Sequence, residues 1–241
     1  MLKTAVIIAG GEGTRLGDLA KDRPKTLVNV AGKPLLYWTI NWLKSQGIDH
    51  LVVGVAYKKE KIYEFLKENN NFDIDINVSE HTVEGGTAQA FKLAIQRYVT
   101  DENFVAMNSD ELTNMSLARM IDRHLLKKPL VTMALAPFPA NLSIVDVDED
   151  GRVSAFTYGK KLPHIPVSNG IYIFNKGILS HIPETGSIEN TAFLKLVGEK
   201  NILAHHLAFG EEQWATVNVP KDIPEAERML KKWGRVQEDG R

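Results

Sequence analysis

Apolar residues follow two different periods along the first half of the chain. Four short segments are rich in apolar and β-branched residues, as strands are: 4–9, 51–55, 74–78 and 104–107. Three segments between them place apolar residues on one face at helical spacing: 35–46, 58–67 and 87–98. This alternation predicts an α/β fold with a Rossmann-like, mostly parallel sheet flanked by helices. In such a fold, ligands bind at the carboxyl ends of the strands.

The pattern changes after Pro129. Strand-like segments then follow with little helical sequence between them: 131–135, 143–147, 153–156 and 170–174. The sequence D-E-D-G, beginning at Asp148, is typical of a hairpin turn. Helical spacing returns at 190–199 and 222–233. We therefore predict a smaller lobe of mixed strands beside the first half, followed by a closing strand and a C-terminal helix.

Composition and charge exclude several classes of protein. The chain has 241 residues, 44% hydrophobic and 24% charged, as in an ordinary globular protein. Its formal net charge is −1 without a block of like charges, which argues against nucleic acid or a membrane surface as a partner. It has no cysteine, which excludes disulfides, thiolate zinc sites and cysteine nucleophiles. No apolar run approaches the roughly 18 residues of a membrane span, and the apolar run before Gly10 is too short for a signal-peptide core, so we expect a cytoplasmic protein.

The first strand leaves through a glycine-rich loop, A-G-G-E-G-T-R-L. Glycines let backbone N–H groups approach a ligand closely, so such a turn can bind an anion, although a plain tight turn has the same composition. The motif G-x-x-x-x-G-K-[ST] is absent, and G-x-G-x-x-G fails because Leu16 takes the place of its last glycine. The loop therefore supports neither a P-loop nor a dinucleotide site, and a nicotinamide-dependent oxidoreductase is excluded.

Two cations, Arg15 and Lys25, follow the glycines. Arg can make bidentate contacts with phosphate, whereas Lys is a compact charge suited to one developing oxyanion. Pro24 restricts the backbone immediately before Lys25. Each cation alone is typical of a solvated surface, but together, behind a glycine turn, they indicate an anion site.

The order of these motifs resembles a known family. A-G-G-E-G-T-R-L, then P-K at 24–25, then V-A-G-K-P-L-L at 30–36, is similar to the signature of the sugar-1-phosphate nucleotidyltransferases. The resemblance implies the nucleotide-diphospho-sugar transferase type of fold. It also implies that Arg15 neutralises the outer phosphates of a nucleotide and that Lys25 contacts the α-phosphate. The residues that would wrap the nucleotide are Ala9, Gly10, Gly11, Gly13 and Thr14.

A second glycine segment, E-G-G-T-A-Q-A-F, resembles the part of the family that touches the base. The resemblance implies nucleotide-binding roles for Gly86 and Thr87, at a helix N-terminus that also favours an anion. By itself, the segment could equally be a helix-capping junction. His81 precedes it, where many thymidylyl- and uridylyltransferases carry a Gln that reads the pyrimidine. The resemblance assigns His81 to the nucleotide site but leaves the base open.

Two segments resemble the metal-binding positions of the family. N-S-D is similar to its N-G-D, which implies that Asp110 holds Mg²⁺ and that Asn108 lies at the sugar phosphate. An Asp at the end of a strand can also cap the next helix. W-A-T-V-N-V-P-K-D has Thr216 where relatives commonly carry a second metal-binding Asp, and Thr216 could face the sugar or the core. Resemblance to other branches of the family makes Asn218 the second metal ligand.

The segment S-N-G-I-Y-I-F resembles the sugar-binding strand of the family, where Asn169 and the backbone of Gly170 would meet the sugar. A buried strand entered through a turn is the alternative. Relatives usually show F-x-E-K just before it, whereas this chain has F-T-Y-G-K-K. Lys160 best matches the Lys that binds the sugar phosphate, and Lys161 is its rival. Gly159 leaves the position of the Glu without a side chain.

The resemblance implies one domain with three parts: a nucleotide-binding half at 1–128, a sugar-binding lobe at 129–213, and a closing strand and C-terminal helix at 214–241. The implied activity transfers a nucleotidyl group from an NTP to a sugar 1-phosphate, with Mg²⁺ as cofactor and pyrophosphate as product. The family also includes homo-oligomers. Which base and which sugar are used stays open.

Two alternative functions stay open. Thr216 and Gly159 replace two family side chains, as they would in a regulatory subunit that binds a nucleotide sugar without turnover. A cytidylyltransferase acting on a polyol or inositol phosphate is nearer in chemistry. The presence of Arg15, Lys25 and Asp110 together favours an active transferase.

Overall fold

The fold is centred on one mixed β-sheet flanked by helices. The computed structural model describes residues 2–139, 143–158, 161–208 and 210–236. The strands are β1 Thr4–Ile8, β2 Asn29–Val30, β3 Lys33–Pro34, β4 His50–Val55, β5 Asp75–Glu80, β6 Asn103–Asn108, β7 Glu111–Thr113, β8 Val131–Pro139, β9 Ser143–Val147, β10 Val153–Tyr158, β11 Lys161–Asn175, β12 Ile202–His206 and β13 Trp214–Thr216. The α-helices are α1 Leu35–Ser45, α2 Lys59–Glu68, α3 Gly86–Tyr98, α4 Leu117–Lys127, α5 Leu194–Gly198 and α6 Ile223–Lys232.

Seven strands form the central sheet in the order β12-β8-β11-β6-β1-β4-β5. Six of them run parallel to one another, and β11 runs antiparallel. Helices α1, α2 and α3 make the crossovers that parallel pairing of β1, β4, β5 and β6 requires. Ile8 pairs with Asn108, so β1 and β6 end level with each other. The predicted mostly parallel sheet with flanking helices is confirmed.

Successive residues of β1 enter two different cores. Ala5 and Ile7 pack on one face of the sheet with side chains of α1, α2 and α4, whereas Val6 packs on the other face with α3 and α5. All three are fully buried. Because helices cover both faces, an inner strand needs apolar residues at every position, which explains the continuous run T-A-V-I-I.

The second half of the chain mostly extends the central sheet. β8, β11 and β12 pair within it, and β11 begins at Lys161, well before the predicted strand segment at 170–174. The hairpin β9–β10 forms a separate two-stranded sheet. Its turn is the predicted D-E-D-G, in which Asp148 Oδ1 accepts hydrogen bonds from the backbone N–H of Asp150 at 3.1 Å and of Arg152 at 2.8 Å. The predicted hairpin turn is therefore confirmed.

Two helical segments differ from what the sequence pattern predicts. Helix α4 has no counterpart among the predicted helices, although Ser116 caps it by accepting a hydrogen bond from the N–H of Ala118. The predicted helix at 190–199 begins as a π-helical segment, Glu189–Phe193, and continues as α5. In the part of the chain that the structure describes, no helix is both long enough and apolar enough to cross a bilayer.

A buried histidine stabilises the contact between α4 and the sheet. His124 is 1% exposed, and its Nε2 lies 3.0 Å from Asn103 Oδ1 while its Nδ1 lies 2.8 Å from Thr132 Oγ1. An amide oxygen only accepts, so Nε2 carries the proton and Nδ1 accepts from the Thr132 hydroxyl. Burial lowers the pKa of His124 from 6.5 to about 4. The fold therefore holds this ring in its neutral form.

Replacing His124 by Gln should reduce the loss in free energy of unfolding that occurs at acid pH. The unfolded chain binds a proton near pH 6.5 and the folded chain only near pH 4, so the free energy of unfolding falls by about 3 kcal/mol between these values. Urea unfolding at pH 7 and pH 4.5 measures this loss. His124→Gln should lose less than the wild type, whereas the exposed His206→Gln should lose as much. Equal losses in all three proteins would contradict the assignment.

Candidate active site

A cleft of about 350 Å³ opens at the carboxyl ends of β1 and β6. Its walls include most of the predicted site residues: Gly10, Gly11, Gly13, Thr14, Arg15, Lys25, His81, Gly86, Thr87, Asn108, Asp110 and Asn218. Ile8, Val83 and Ser109 complete the lining. The structure thus brings together residues from widely separated motifs at the sheet edge where α/β folds bind ligands.

The glycine loop is packed directly against Lys25. Gly13 has a φ of +72°, and a Cβ there would lie 2.9 Å from the Lys25 Cβ. The backbone N–H of Lys25 donates to the carbonyl of Gly11 at 3.3 Å. Only a residue without a Cβ fits both constraints at Gly13. The glycine loop and the Lys25 backbone are therefore packed directly against each other.

Two cations converge on one amide oxygen. Arg15 Nη2 donates to Asn218 Oδ1 at 2.7 Å, and Lys25 Nζ donates to the same oxygen at 2.8 Å. Lys25 Nζ also forms an ion pair with Asp110 Oδ2. The Lys25 and Asp110 side chains are only 15% and 18% exposed. The contacts join the loop after β1, the turn after β6 and the segment after β13 at one point.

The oxygens of this cluster suit a magnesium ion. Asp110 Oδ2 and Asn218 Oδ1 both contact a single atom, Lys25 Nζ, so they converge within reach of one cation. Carboxylate and amide oxygens are ligands that Mg²⁺ accepts, and this ion usually completes its shell with substrate phosphates and water. Across the described ranges, no group of three or more His, Asp or Glu side chains is arranged to hold a metal. The residues fit an ion held jointly with a phosphorylated substrate.

Glu111 lies directly behind Asp110 and is not among the predicted site residues. Its side chain is 7% exposed, and its Oε2 accepts a hydrogen bond from Trp214 Nε1 at 2.6 Å. Burial, together with the nearby negative charge of Asp110, raises the pKa of Glu111 well above its ordinary value. The sequence signal was only an acidic residue next to Asp110, which does not distinguish a buried carboxyl from a surface one.

The His81 ring packs against the glycine loop, and its Nε2 is buried there. A Cβ on Gly10 would lie 2.5 Å from the His81 Cε1 and Nε2. Nδ1 donates to the Thr82 carbonyl at 2.9 Å, while Nε2 is buried and has no hydrogen-bond partner among the described residues. Burial lowers the pKa of His81. The ring therefore shapes the cleft as a neutral group under the loop.

The start of α3 is held by a distant segment at 186–189. Gly86 has a φ of +65°, and a Cβ there would lie 2.5 Å from the Gly186 carbonyl oxygen. The same carbonyl accepts from the N–H of Ala88 at 2.9 Å. Thr87 Oγ1 donates to Glu189 Oε2 at 3.0 Å. This segment is not among the predicted site residues, because its only signal is a single glycine followed three residues later by Glu.

The predicted sugar-side residues lie at different depths. Asn169 is fully buried, its Oδ1 accepts from the N–H of Ile171 at 3.2 Å, and its Nδ2 has no partner in the described ranges. Gly170 has a φ of +71°.

Ala9, predicted for the nucleotide side, is buried and donates its N–H to the Gly54 carbonyl at 2.7 Å, so it supports the glycine loop from below.

The predicted phosphate-binding Lys160 and the neighbouring Gly159 lie outside the described residues. The rival residue Lys161 begins β11. The roles of these residues stay predictions.

Gly170→Ala should be more harmful than an alanine at another glycine of positive φ. A Cβ on Gly170 would lie 2.9 Å from both Asn108 Nδ2 and Glu111 Oε1, whereas Gly32, with a φ of +81°, has open space around it. Gly32→Ala should therefore lose only the backbone term of about 1–2 kcal/mol, and Gly170→Ala on the order of 2–5 kcal/mol. Urea denaturation of both variants measures the difference. Equal losses would show that the Asn108 and Glu111 side chains move aside without a loss of stability.

Comparison with known proteins identifies relatives of similar length and longer ones. D-glycero-alpha-D-manno-heptose 1-phosphate guanylyltransferase of Aneurinibacillus thermoaerophilus is 29% identical over 231 residues, covering 94% of this chain and 97% of that protein. Mannose-1-phosphate guanylyltransferase 1 of Arabidopsis thaliana is 30% identical over 226 residues, which cover 90% of this chain. This chain spans 62% of the length of that plant protein.

Solved structures share the fold at low sequence identity. HddC from Yersinia pseudotuberculosis complexed with GMP-PN superposes with a TM-score of 0.73 at 22% identity, covering 95% of this chain and all of that one. A putative glucose-1-phosphate thymidylyltransferase from Bacillus anthracis gives a TM-score of 0.75 at 17% identity and covers the whole of this chain. The family profile described as nucleotidyl transferase matches residues 4–232. The resemblance inferred from the motifs is thus confirmed, and the chain belongs to the nucleotidyl transferase family.

Proposed function

We propose that this protein transfers a guanylyl group from GTP to a sugar 1-phosphate of the mannose or manno-heptose class, releasing pyrophosphate. The observation that carries the proposal is the convergence of Arg15 and Lys25 on Asn218 Oδ1, with Asp110 paired to Lys25, beside a glycine loop. Nucleotidyl transfer is the chemistry of the family to which the chain belongs. The base and the sugar are the finer parts of the proposal.

The positive side chains compensate the repulsion between the two anionic substrates. A sugar-phosphate oxygen attacks the α-phosphorus of GTP, the bond from that phosphorus to the bridging oxygen breaks, and pyrophosphate leaves with the electron pair. Both substrates are anions, so the protein must chiefly position and neutralise them. Arg15 would hold the outer phosphates, and Lys25 would donate to the crowded α-phosphate. No general base is needed because the attacking phosphate oxygen is already ionised near neutral pH.

Asp110 and Asn218 would hold Mg²⁺, which when bound neutralises phosphate charge and so favours attack and departure. The support for these ligands is the convergence of their oxygens on one cationic nitrogen. Asn108, in the lining of the cleft, would face the sugar phosphate, with Lys160 as the proposed cation on that side. Asn169 and Gly170 are buried, so we propose that they shape the sugar side from behind Asn108. The glycine loop, with Thr14, His81, Gly86 and Thr87, would enclose the nucleotide.

The choice of guanine and of a manno-configured sugar has two supports. The two relatives above carry the names of a manno-heptose 1-phosphate guanylyltransferase and a mannose-1-phosphate guanylyltransferase. His81 also departs from the Gln that reads a pyrimidine in thymidylyl- and uridylyltransferases, and the structure uses it to pack against Gly10. We further propose a cytoplasmic location, where nucleoside triphosphates are supplied. Assembly into a homo-oligomer stays a prediction.

Pyrophosphate release tests the substrates directly. We expect Mg²⁺-dependent release from GTP with mannose 1-phosphate or a manno-heptose 1-phosphate, and little from ATP, CTP, UTP or dTTP. A coupled phosphate assay with each NTP against hexose, aminohexose and heptose 1-phosphates measures it. Preference for dTTP or UTP would overturn the guanylyl assignment, and absence of release from every pair would favour a binding subunit.

Removing one charge of the cluster should lower turnover with folding intact. We expect Lys25→Ala and Asp110→Ala each to reduce kcat by on the order of 10²–10³-fold, the usual effect of losing one electrostatic stabiliser of the transition state. Lys61→Ala, on the outer surface of α2, is the matched control and should keep wild-type turnover. Thermal unfolding of all three variants verifies the fold. A kcat within twofold of wild type would remove that residue from the mechanism.

A further inference from the structure

We propose that Thr216 is a positioning residue that holds the carboxamide of Asn218 with its oxygen toward Lys25 and Arg15. The orientation itself is a property of the protein alone. Its consequence for Mg²⁺ and phosphate rests on the function proposed above. No role in orienting Asn218 follows from the family signature, in which the position of Thr216 commonly carries an acidic metal ligand.

Thr216 lies opposite the buried Glu111 in a short two-stranded ladder. β7 and β13 pair in antiparallel fashion with Glu111 opposite Thr216. Side chains of directly opposed residues lie on the same face and within contact distance. Trp214, two residues before Thr216, shares that face and donates to Glu111 Oε2 at 2.6 Å. The ladder thus places the buried Glu111 carboxyl on the same face as the Thr216 hydroxyl.

Hydrogen bonds give the Asn218 carboxamide a single consistent orientation. Asn218 Nδ2 donates to Thr216 Oγ1 at 2.9 Å, so the Thr216 hydroxyl oxygen is the acceptor in this contact. On the other side, Asn218 Oδ1 receives donors from Arg15 at 2.7 Å and Lys25 at 2.8 Å. Lys and Arg can only donate. A flipped amide would point its NH₂ group at two cations and lose both bonds.

The backbone around Asn218 is fixed separately. The N–H groups of Asn218 and Val219 both donate to Asp222 Oδ2, at 2.8 Å and 2.9 Å. This anchor sets the position of the main chain but leaves the terminal torsion of the side chain undetermined. Thr216 contacts the amide nitrogen, so together with the two cations on Oδ1 it sets which end of the amide meets the cleft.

This arrangement gives Thr216 a different role from the one that the family signature suggests. In that signature the position commonly carries an acidic metal ligand, so a Thr there would by itself indicate a lost metal contact. In the structure, the hydroxyl instead supports the residue that takes the ligand position two residues later. Groups that orient a metal ligand typically change metal affinity about 10–100-fold when they are removed. Thr216 therefore acts on the proposed metal site through Asn218 and not as a ligand itself.

Three variants separate orientation from general damage to the ladder. Thr216→Val removes the hydroxyl at nearly constant volume, and Thr216→Ser retains it. Thr113→Val is the matched control, because Thr113 lies in the same ladder, opposite Trp214, but its hydroxyl donates to the Gln213 carbonyl at 2.7 Å. Thermal unfolding of each variant shows that it is folded before the comparisons are made.

The first readout needs neither metal nor nucleotide. In protein labelled with ¹⁵N at Asn side chains, the Asn218 carboxamide signal is identified by its loss in Asn218→Asp. We expect Thr216→Val to shift this signal and speed its proton exchange about 10-fold or more. Thr216→Ser and Thr113→Val should keep the wild-type signal.

The second readout is binding of Mn²⁺, as a probe for Mg²⁺, with a non-hydrolysable GTP analogue, followed by electron paramagnetic resonance. We expect Thr216→Val to weaken Mn²⁺ binding about 10-fold and Thr216→Ser to stay within about twofold of the wild type.

Wild-type Asn218 signals in Thr216→Val would overturn the proposal, as would equal effects of Thr113→Val. The proposed function fails by a different result, absence of pyrophosphate release in the wild type. If release is absent but Thr216→Val still shifts the Asn218 signal, the orientation role stands and the transferase assignment falls.

Discussion

The ammonium group of Lys25 is the charge around which the site is organised. Its side chain is only 15% exposed, so protein oxygens must compensate the charge in place of water. Asp110 and Asn218 supply these oxygens from two distant parts of the chain, and the Gly11 carbonyl holds the Lys25 backbone. This requirement draws the glycine loop, the turn after β6 and the segment after β13 to one point. It also explains how a chain with a net charge of −1 can bind two anions, since the positive charge is concentrated where it is needed.

An element of the fold is predictable from the sequence where the spacing of its apolar residues matches the faces that are buried. Strand β1 is continuous in apolar residues because both its faces are covered, and the D-E-D-G turn depends only on a local side chain. Helix α4 escapes the pattern because Leu125 and Leu126, 42% and 76% exposed, interrupt its apolar stripe. The early start of β11 escapes because Pro163 and Pro166 argue against a strand in that part of the sequence, although Pro166 pairs with Pro137 of β8.

The individual site residues are predictable because they lie in contiguous motifs, but their partners are not. Arg15 and Asn218 are 203 residues apart, and nothing in either motif specifies that one donates to the other. The buried Glu111 accepts its hydrogen bond from Trp214, which returns from the far end of the chain. The positive φ of Gly86 likewise has its reason in the carbonyl of Gly186, a contact that exists only after folding.

The reversed direction of β11 has a consequence for how such an enzyme can diversify. In the parallel strands, the residues near the ligand-binding edge of the sheet are the last of the strand, and the chain continues from them into the next crossover. Because β11 runs antiparallel, its early residues reach that edge before Gly170, next to Asn108. Residues 161–168 pair with β8, whereas pairing with β6 begins only at Ile171, so the character of this segment can change while the pairs to β6 keep their register. Under the proposed function, acceptor preference would change through this segment while the residues that contact the triphosphate stay the same.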